Sequence, residues 1–362
     1  MLKAILVVGN GSIGRDKISG KSYINNRTGE FLKNLLNGNY KITFVEPLTE
    51  FDYHSNLQNF CLEDNNISFV PLKKEKGFKK VNLIFQLIKL IKQNDFVYIF
   101  IPSTLGRIIG CLCILLFKPY GIYLRGEVVF SLINNLIFKK TNFILTVSPY
   151  LKILVSSYQN NIDCIRPMID INQNDFYLKK YRYHQNITIL YVGNLSKGKG
   201  IFELIEVAKK FEKINKRITF RIVGGGVLYS ELQHTILPSN IVLTGQIDDK
   251  DSLLKEFRGA DVFYFPSHSE GFPRVLFEAM SQSLPIFTTI VGGISGYMRV
   301  NENCIAIPSK DAFSQYEIIA SNIENEAFLN KIASNGLESI IEILNNMKTH
   351  EQLLIKQIKE IS

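Results

Sequence analysis

The chain has 362 residues, of which 46% are hydrophobic and 21% charged, and a formal net charge of +9. That length is too great for one ordinary core and suits two domains, and the balance of apolar to charged residues excludes a disordered chain. No apolar run reaches the roughly 20 residues of a membrane span; the longest, Ile108 to Phe117, is expected to be a buried helix.

The N-terminus carries one Lys and a short apolar run, Ile5 to Val8. This is too short for a secretory leader and reads as a first strand, so a cytoplasmic protein is expected. Gly9-Asn10-Gly11-Ser12-Ile13-Gly14 follows with the spacing G-x-G-x-x-G. Alone, that spacing leaves a dinucleotide site open, with Glu46 after the strand Ile42 to Val45 as the acidic partner. Lys73, Lys74, Lys76, Lys79 and Lys80 precede the apolar helical stretch Val81 to Lys92. A basic amphipathic element of this kind, 73–92, reads either as a contact to an anionic membrane surface or as a core helix behind a solvated Lys-rich loop. Phe96 to Ile101, Gly121 to Leu124 and Phe143 to Val147 then alternate with helical stretches in the βαβ rhythm of a parallel sheet, and Ser148-Pro149 reads as a helix cap. Asp163 to Arg166 is expected to be the last strand of a first domain, with a linker near 166–178.

The charge is uneven. Residues 1–170 hold 16 Lys and 5 Arg against 12 acidic residues, which gives +9, whereas residues 171–362 hold 21 of each sign. Five scattered cysteines, among them Cys111 and Cys113 within Leu and Ile, read as reduced thiols, and no metal site is expected.

The second half restarts the same rhythm. Ile187 to Val192 is a strand, Gly193 to Gly200 a turn rich in Gly and Lys, Phe202 to Ile214 a helix, Ile218 to Val223 a strand closed by Gly224-Gly225-Gly226. A Gly-rich turn with Lys at a helix start is a phosphate cradle in physical terms. Ile241 to Ile247 reads as a further strand and turn, and Leu337 to Ile361 is helical by periodicity. The stretch that organises this half is Pro266-Ser267-His268-Ser269-Glu270-Gly271-Phe272-Pro273-Arg274-Val275-Leu276-Phe277-Glu278-Ala279-Met280, behind the strand Ala260 to Phe265. Pro273 suits the first helical turn and Gly271 clears a ligand's path to the loop backbone, so the junction is built as an anion site. Glu270 and Glu278 flank it. A carboxylate only accepts hydrogen bonds, so two of them beside an anion site suit a ligand that also carries diols, as a nucleotide sugar does.

P-S-x-x-E-G-F-P-x-V-L-x-E-A-M resembles the signature of the family 4 glycosyltransferases, retaining enzymes of the GT-B fold with an E-x7-E motif. The resemblance implies an α/β GT-B fold with two Rossmann-like parallel-sheet domains facing a central cleft. The first would span 1–168, completed by a C-terminal helix at about 345–362, and the donor domain 169–344. It further implies that Glu270 contacts the donor sugar and Glu278 the ribose, with the backbone of Gly271, Phe272 and Pro273 on sugar and diphosphate and Arg274 and Val275 alongside. Lys199 would lie on the diphosphate, Ile247 near the base, and Gly11 N–H on the diphosphate from the first domain. The family's turn commonly reads G-R-L before K-G; here Asn194 stands where Arg is usual.

Many relatives carry a His after the strand at Tyr123-Leu124. This chain reads Arg125-Gly126-Glu127, and His54 is the only histidine in the expected first domain. Arg is no base at neutral pH, but its fork suits phosphate or carboxylate, so Arg125 and Glu127 are expected on the acceptor side. Glu270, Lys199 and Arg125 form the expected catalytic set for a front-face transfer that rests on positioning and electrostatics. No cofactor and no nucleic acid is expected. The substrates would be a nucleotide-diphosphate sugar, a UDP-sugar ahead of a GDP-sugar, and a glycan or lipid-linked saccharide, in bacterial surface polysaccharide synthesis at the inner membrane face. A nucleotide-sugar epimerase of the same fold and a non-catalytic sugar-nucleotide binding subunit are the alternatives.

Overall fold

The computed structural model describes residues 3–51, 59–73, 79–126, 128–214 and 217–361. The chain divides into two units: Met1–Arg166 together with Lys348–Ser362, and Pro167–Met347.

The first unit is built on a ten-stranded sheet. Its parallel core runs Ile162–Cys164, Phe143–Thr146, Tyr120–Leu124, Phe96–Ile101, Ala4–Val8 and Lys41–Phe51. Phe96–Ile101 is buried at every position, as expected for a strand covered on both faces. The order reverses between Ala4–Val8 and Phe96–Ile101: from the first the chain moves towards Lys41–Phe51, and from the second it steps outward the other way. In an open α/β sheet the crevice beyond such a reversal is where ligands bind.

Lys41–Phe51 is long enough to serve two partners besides Ala4–Val8. Thr43 to Pro47 pairs with Ser68–Leu72, and Leu48 to Phe51 pairs with Ile13–Asp16. This corrects the reading of Gly9 to Gly14 as one turn, because Ile13 and Gly14 already belong to a strand, which pairs antiparallel with Ser22–Ile24. No helix opens behind the glycines, so the pyrophosphate seat that a dinucleotide fingerprint needs at a helix N-terminus is missing.

The stretch from Ile108 to Phe117 is also corrected. The helix Thr104–Leu115 buries Ile109 and Cys113, but Ile108, Leu115 and Phe117 are exposed. In the helix Lys79–Gln93, Leu87 and Ile91 are buried while Val81 and Phe85 face out; residues 74–78 of the basic stretch lie outside the described residues.

The second unit carries a six-stranded parallel sheet in the order Ile241–Gly245, Ile218–Val223, Ile187–Val192, Val262–Phe265, Ile286–Thr288 and Ile305–Ala306. Its reversal lies between Ile187–Val192 and Val262–Phe265, which pair through Ile189 with Val262 and Leu190 with Phe263. Both strands are buried among the aromatic and branched side chains of one core.

The C-terminal helical stretch is broken in two. Glu326–Asn346 ends at an extended Met347, and His350–Ile361 restarts behind Thr349. Thr349 Oγ1 accepts the Gln352 N–H at 3.3 Å and Gln352 Oε1 accepts the Thr349 N–H at 3.0 Å, a reciprocal cap. The second helix belongs to the first unit, packing on Asn26–Asn37 and Phe143–Thr146.

Candidate functional site

In the second unit three loops meet at the carboxyl ends of the two strands that flank the reversal. The turn after Ile187–Val192 holds Lys197, Gly198, Lys199 and Gly200. The loop after Val262–Phe265 is locked to it: His268 N–H donates to Gly198 O at 2.9 Å, and the buried Ser267 Oγ donates to Gly198 O at 3.4 Å. Gly200 stands at φ +71°, where a Cβ would come within 2.1 Å of Pro266 O. From the third loop, Gly293 N–H donates to Glu270 O at 2.7 Å. Backbone rests on backbone throughout, which fixes what the loops carry.

They carry an ion pair. Lys199 Nζ lies 2.6 Å from Glu270 Oε1, with the glutamate 92% buried and the lysine side chain about a quarter exposed. An ammonium has three donors, so Lys199 keeps two for another oxygen after binding Glu270. The helix Arg274–Ser281 begins beside them. Pro273 takes the N-cap position rather than the first helical turn and offers no side-chain acceptor, so the positive end of the helix is left for an external anion. Glu278 is in the second turn, half-buried, and Arg274 and Val275 are half-buried in the first. Phe272 stacks on Phe277 at 5.3 Å between ring centroids, which anchors the loop to the helix it opens.

Asn194 is exposed at the start of the Lys-bearing turn. Gly226 is needed beside it: at φ +140°, a Cβ there would lie 2.0 Å from Asn194 Oδ1. Leu195 N–H donates to Gly225 O at 2.7 Å, so the triple glycine forms a wall of the same turn. Ile247, just past Ile241–Gly245, is partly buried against the core.

One further pair was not singled out in the sequence. His268 Nε2 lies 3.1 Å from Glu203 Oε1, both side chains 17% exposed, with an angle that makes no hydrogen bond. A His between two serines at a strand end was the available signal; its partner, 65 positions away, could not be guessed.

Arg125 and Gly11 belong to the first unit, at the carboxyl edge of its own sheet. Arg125 Nη1 donates to Asn10 Oδ1 at 3.0 Å, and the guanidinium lies over the rings of Phe100 and Tyr123 at 5.7 and 5.8 Å. The Gly11 N–H is taken up inside the unit, donating to Glu46 Oε1 at 2.8 Å. Glu46 is folded directly over the glycine turn, where a Cβ on Gly9 would meet its carboxylate at 1.9 Å. Burial raises the Glu46 carboxyl to about 7, against the lowering effect of the Gly11 N–H and of Arg125. A carboxylate seated over the glycines leaves no room there for a dinucleotide. Glu127 lies outside the described residues.

The reading of His54, which lies outside the described residues, as the only histidine of the first domain is also corrected. The returning C-terminal helix inserts His350 beneath Arg125, with ring centroids 4.0 Å from Tyr123 and 4.1 Å from Phe31 and Nε2 2.7 Å from Tyr98 Oη. It is buried, with Nδ1 unpartnered, and burial and Arg125 hold its pKa well below the usual range. Among the described residues no group of three or more His, Cys, Asp or Glu is placed to hold a metal, and no helix is long and apolar enough to cross a membrane.

Two doubly wound α/β units, each with its loops at a strand-order reversal, define the GT-B fold. HepE of Anabaena, in a structure of its complex with UDP, superposes with a TM-score of 0.69 over 99% of this chain and 100% of that one, at 14% identity. Residues 174–339, which include the whole ion-paired site, match the family model described as glycosyl transferases group 1. Among curated proteins, TuaC of Bacillus subtilis, whose name assigns it provisionally to teichuronic acid biosynthesis, is 33% identical over 136 residues, 35% of this chain and 32% of that protein. The capsular polysaccharide biosynthesis glycosyltransferase CapM of Staphylococcus aureus is 27% identical over 181 residues, 48% of this chain and 47% of that protein. The chain thus spans about a third to a half of the length of these relatives.

Proposed function

We propose that the chain is a retaining, metal-independent glycosyltransferase. It moves a sugar from a nucleotide-diphosphate donor, a UDP-sugar before a GDP-sugar, to a hydroxyl of a glycan or lipid-linked saccharide, in bacterial surface polysaccharide synthesis on the cytoplasmic side. The observation that carries this reading is the Lys199–Glu270 pair, buried at the strand-order reversal of the second unit beside an uncapped helix N-terminus. Relatives named for teichuronic acid and capsule synthesis, and a structural neighbour holding UDP, support it.

In this mechanism Glu270 accepts hydrogen bonds from hydroxyls of the transferred sugar, and Glu278 accepts those of the ribose. The diphosphate lies between the free donors of Lys199 and the backbone ahead of Arg274, where the helix end favours negative charge. As the bond from the anomeric carbon to the phosphate oxygen breaks, the leaving diphosphate gains charge and Lys199 stabilises it. The acceptor oxygen attacks the same face, and its proton passes to the departing phosphate. Asn194 and Ile247 shape the pocket, and Arg125 acts as a phosphate or carboxylate anchor on the acceptor side.

The test is product analysis with UDP-sugars and saccharide acceptors for wild type and Glu270→Gln. Transfer with the anomeric configuration retained is expected, and loss of one preorganised polar contact should lower kcat/KM by about 3 kcal/mol, or roughly 150-fold. Ordinary turnover by Glu270→Gln contradicts the role of that residue. An altered sugar released without any acceptor points instead to an epimerase, and tight donor binding without transfer to a binding subunit.

A further inference from the structure

In the first unit the strands Phe96–Ile101, Tyr120–Leu124, Phe143–Thr146 and Ile162–Cys164 step outward in one direction. Right-handed crossovers therefore place the connecting helices on one face of the sheet, and the helix Lys79–Gln93, entering Phe96–Ile101 in the same sense, joins them. The helices Asn26–Asn37 and His350–Ile361 pack together on the other face.

The two faces differ in charge. Lys79–Gln93, Thr104–Leu115, Leu132–Lys140 and Pro149–Val155 contain eight Lys or Arg and no Asp or Glu. The two helices of the opposite face contain four basic and three acidic residues. The exposed apolar side chains are as unequally divided. Of the twelve large exposed hydrophobics in the described part of this unit, eleven sit on the four basic helices or on the residues flanking them, and the twelfth is Ile18. Leu132 is 89% exposed, Phe117 94% and Leu115 72%. Between Thr104–Leu115 and Leu132–Lys140 lies a hollow of about 360 Å³ lined by Thr104, Arg107, Ile108, Cys111, Leu112 and Ile133. A solvated helix layer would carry both signs of charge and few bare apolar side chains.

We propose that this helix face is a docking surface for an anionic lipid bilayer. Leu115, Phe117, Leu132 and Leu136 enter the boundary between headgroups and acyl chains, while Arg107, Lys139 and Lys140 pair with lipid phosphates. Exposed apolar side chains ringed by one sign of charge match a surface that is apolar inside and anionic outside. The assignment does not depend on the transferase reading and moves the lipid contact from residues 73–92 to a face centred on 104–140.

The full chain should co-sediment with vesicles of phosphatidylcholine containing phosphatidylglycerol, and not with phosphatidylcholine alone, with binding weakened by salt. Leu132→Ser/Ile133→Ser/Leu136→Ser and, separately, Arg107→Glu/Lys139→Glu/Lys140→Glu should each cut partitioning at least about tenfold. Ile236→Ser, at a fully exposed position of the second unit, should leave it unchanged. Absence of wild-type binding overturns the proposal, as does binding that survives both triple substitutions. Wild-type chain that ignores vesicles but dimerises in gel filtration, with the dimer lost in the serine variant, assigns the face to a second copy of the chain instead.

Discussion

Glu46 shows how much one buried carboxyl can shape an edge of a sheet. Its side chain fills the space over Gly9, takes the Gly11 N–H, and titrates at about 7 because burial outweighs both that hydrogen bond and Arg125. In the unfolded chain the same group titrates near the ordinary carboxyl value of 4.5. Its contribution to stability is therefore fully present below that value, is lost as pH rises through about 7, and is constant beyond. His350 acts in the opposite sense: its pKa is depressed in the fold, so it destabilises as pH falls below about 6.5, where the unfolded chain takes up the proton. Glu46→Gln removes only the first effect. Between pH 5 and pH 8, wild type should lose about 2–3 kcal/mol relative to Glu46→Gln, measured by denaturant unfolding of both proteins at each pH. A difference that does not change with pH contradicts the buried, raised carboxyl. The residue itself was visible in the sequence as the acid at a strand end; its turn onto the glycines was not, because that depends on Ile13–Asp16 forming a strand instead of a helix.

At the scale of elements, the strands that the sequence made plain are those whose environment is uniform. Phe96–Ile101 and Ile187–Val192 have the bounds their aromatic and branched runs predict, since strands covered on both faces need apolar residues at nearly every position. The helix across Ile108 to Phe117 was plain as a helix and misleading as to burial. Periodicity reports how much apolar surface an element has, and says nothing about whether the fold supplies enough neighbours to cover it. The break at Met347 escaped for a related reason: Glu326–Asn346 and His350–Ile361 are both amphipathic, and the Thr349-x-x-Gln352 cap between them is short. The loops around Lys199 illustrate a constraint that composition alone cannot express. Gly198 and Gly200 look alike in sequence, yet a Cβ at Gly198 would meet nothing within 4 Å, while one at Gly200 would strike the Pro266 carbonyl. Gly200→Ala should destabilise the second unit by at least about 2 kcal/mol, and Gly198→Ala should stay within about 0.5 kcal/mol of wild type in thermal or denaturant unfolding. Equal effects would mean that the turn and the Pro266 loop are not locked as described.

For the whole molecule, two sheets of the same handedness carry different equipment. The first unit holds the excess of positive charge, 24 basic against 13 acidic residues, with a basic apolar helix face and an arginine over aromatic rings; the second has 18 basic against 20 acidic residues and holds the Lys199–Glu270 pair. The α/β class and the rhythm of both sheets were legible because βαβ units leave a local signature. The meeting of Lys199 with Glu270, 71 positions apart, was not local: it follows from Ile187–Val192 and Val262–Phe265 lying side by side across a reversal of strand order. This reversal is the proposed nucleotide-sugar seat, and nucleotide binding tests it without knowledge of the acceptor. Thermal unfolding of wild type and Glu278→Ala should be followed with UDP, GDP, ADP and dTDP, each at a hundredfold excess over a micromolar-range Kd. One nucleotide, UDP on this account, should stabilise wild type by about 2.7 kcal/mol, a shift of several degrees in Tm, and lose most of that effect in Glu278→Ala. No shift with any of the four would contradict the assignment of the second unit as a donor site.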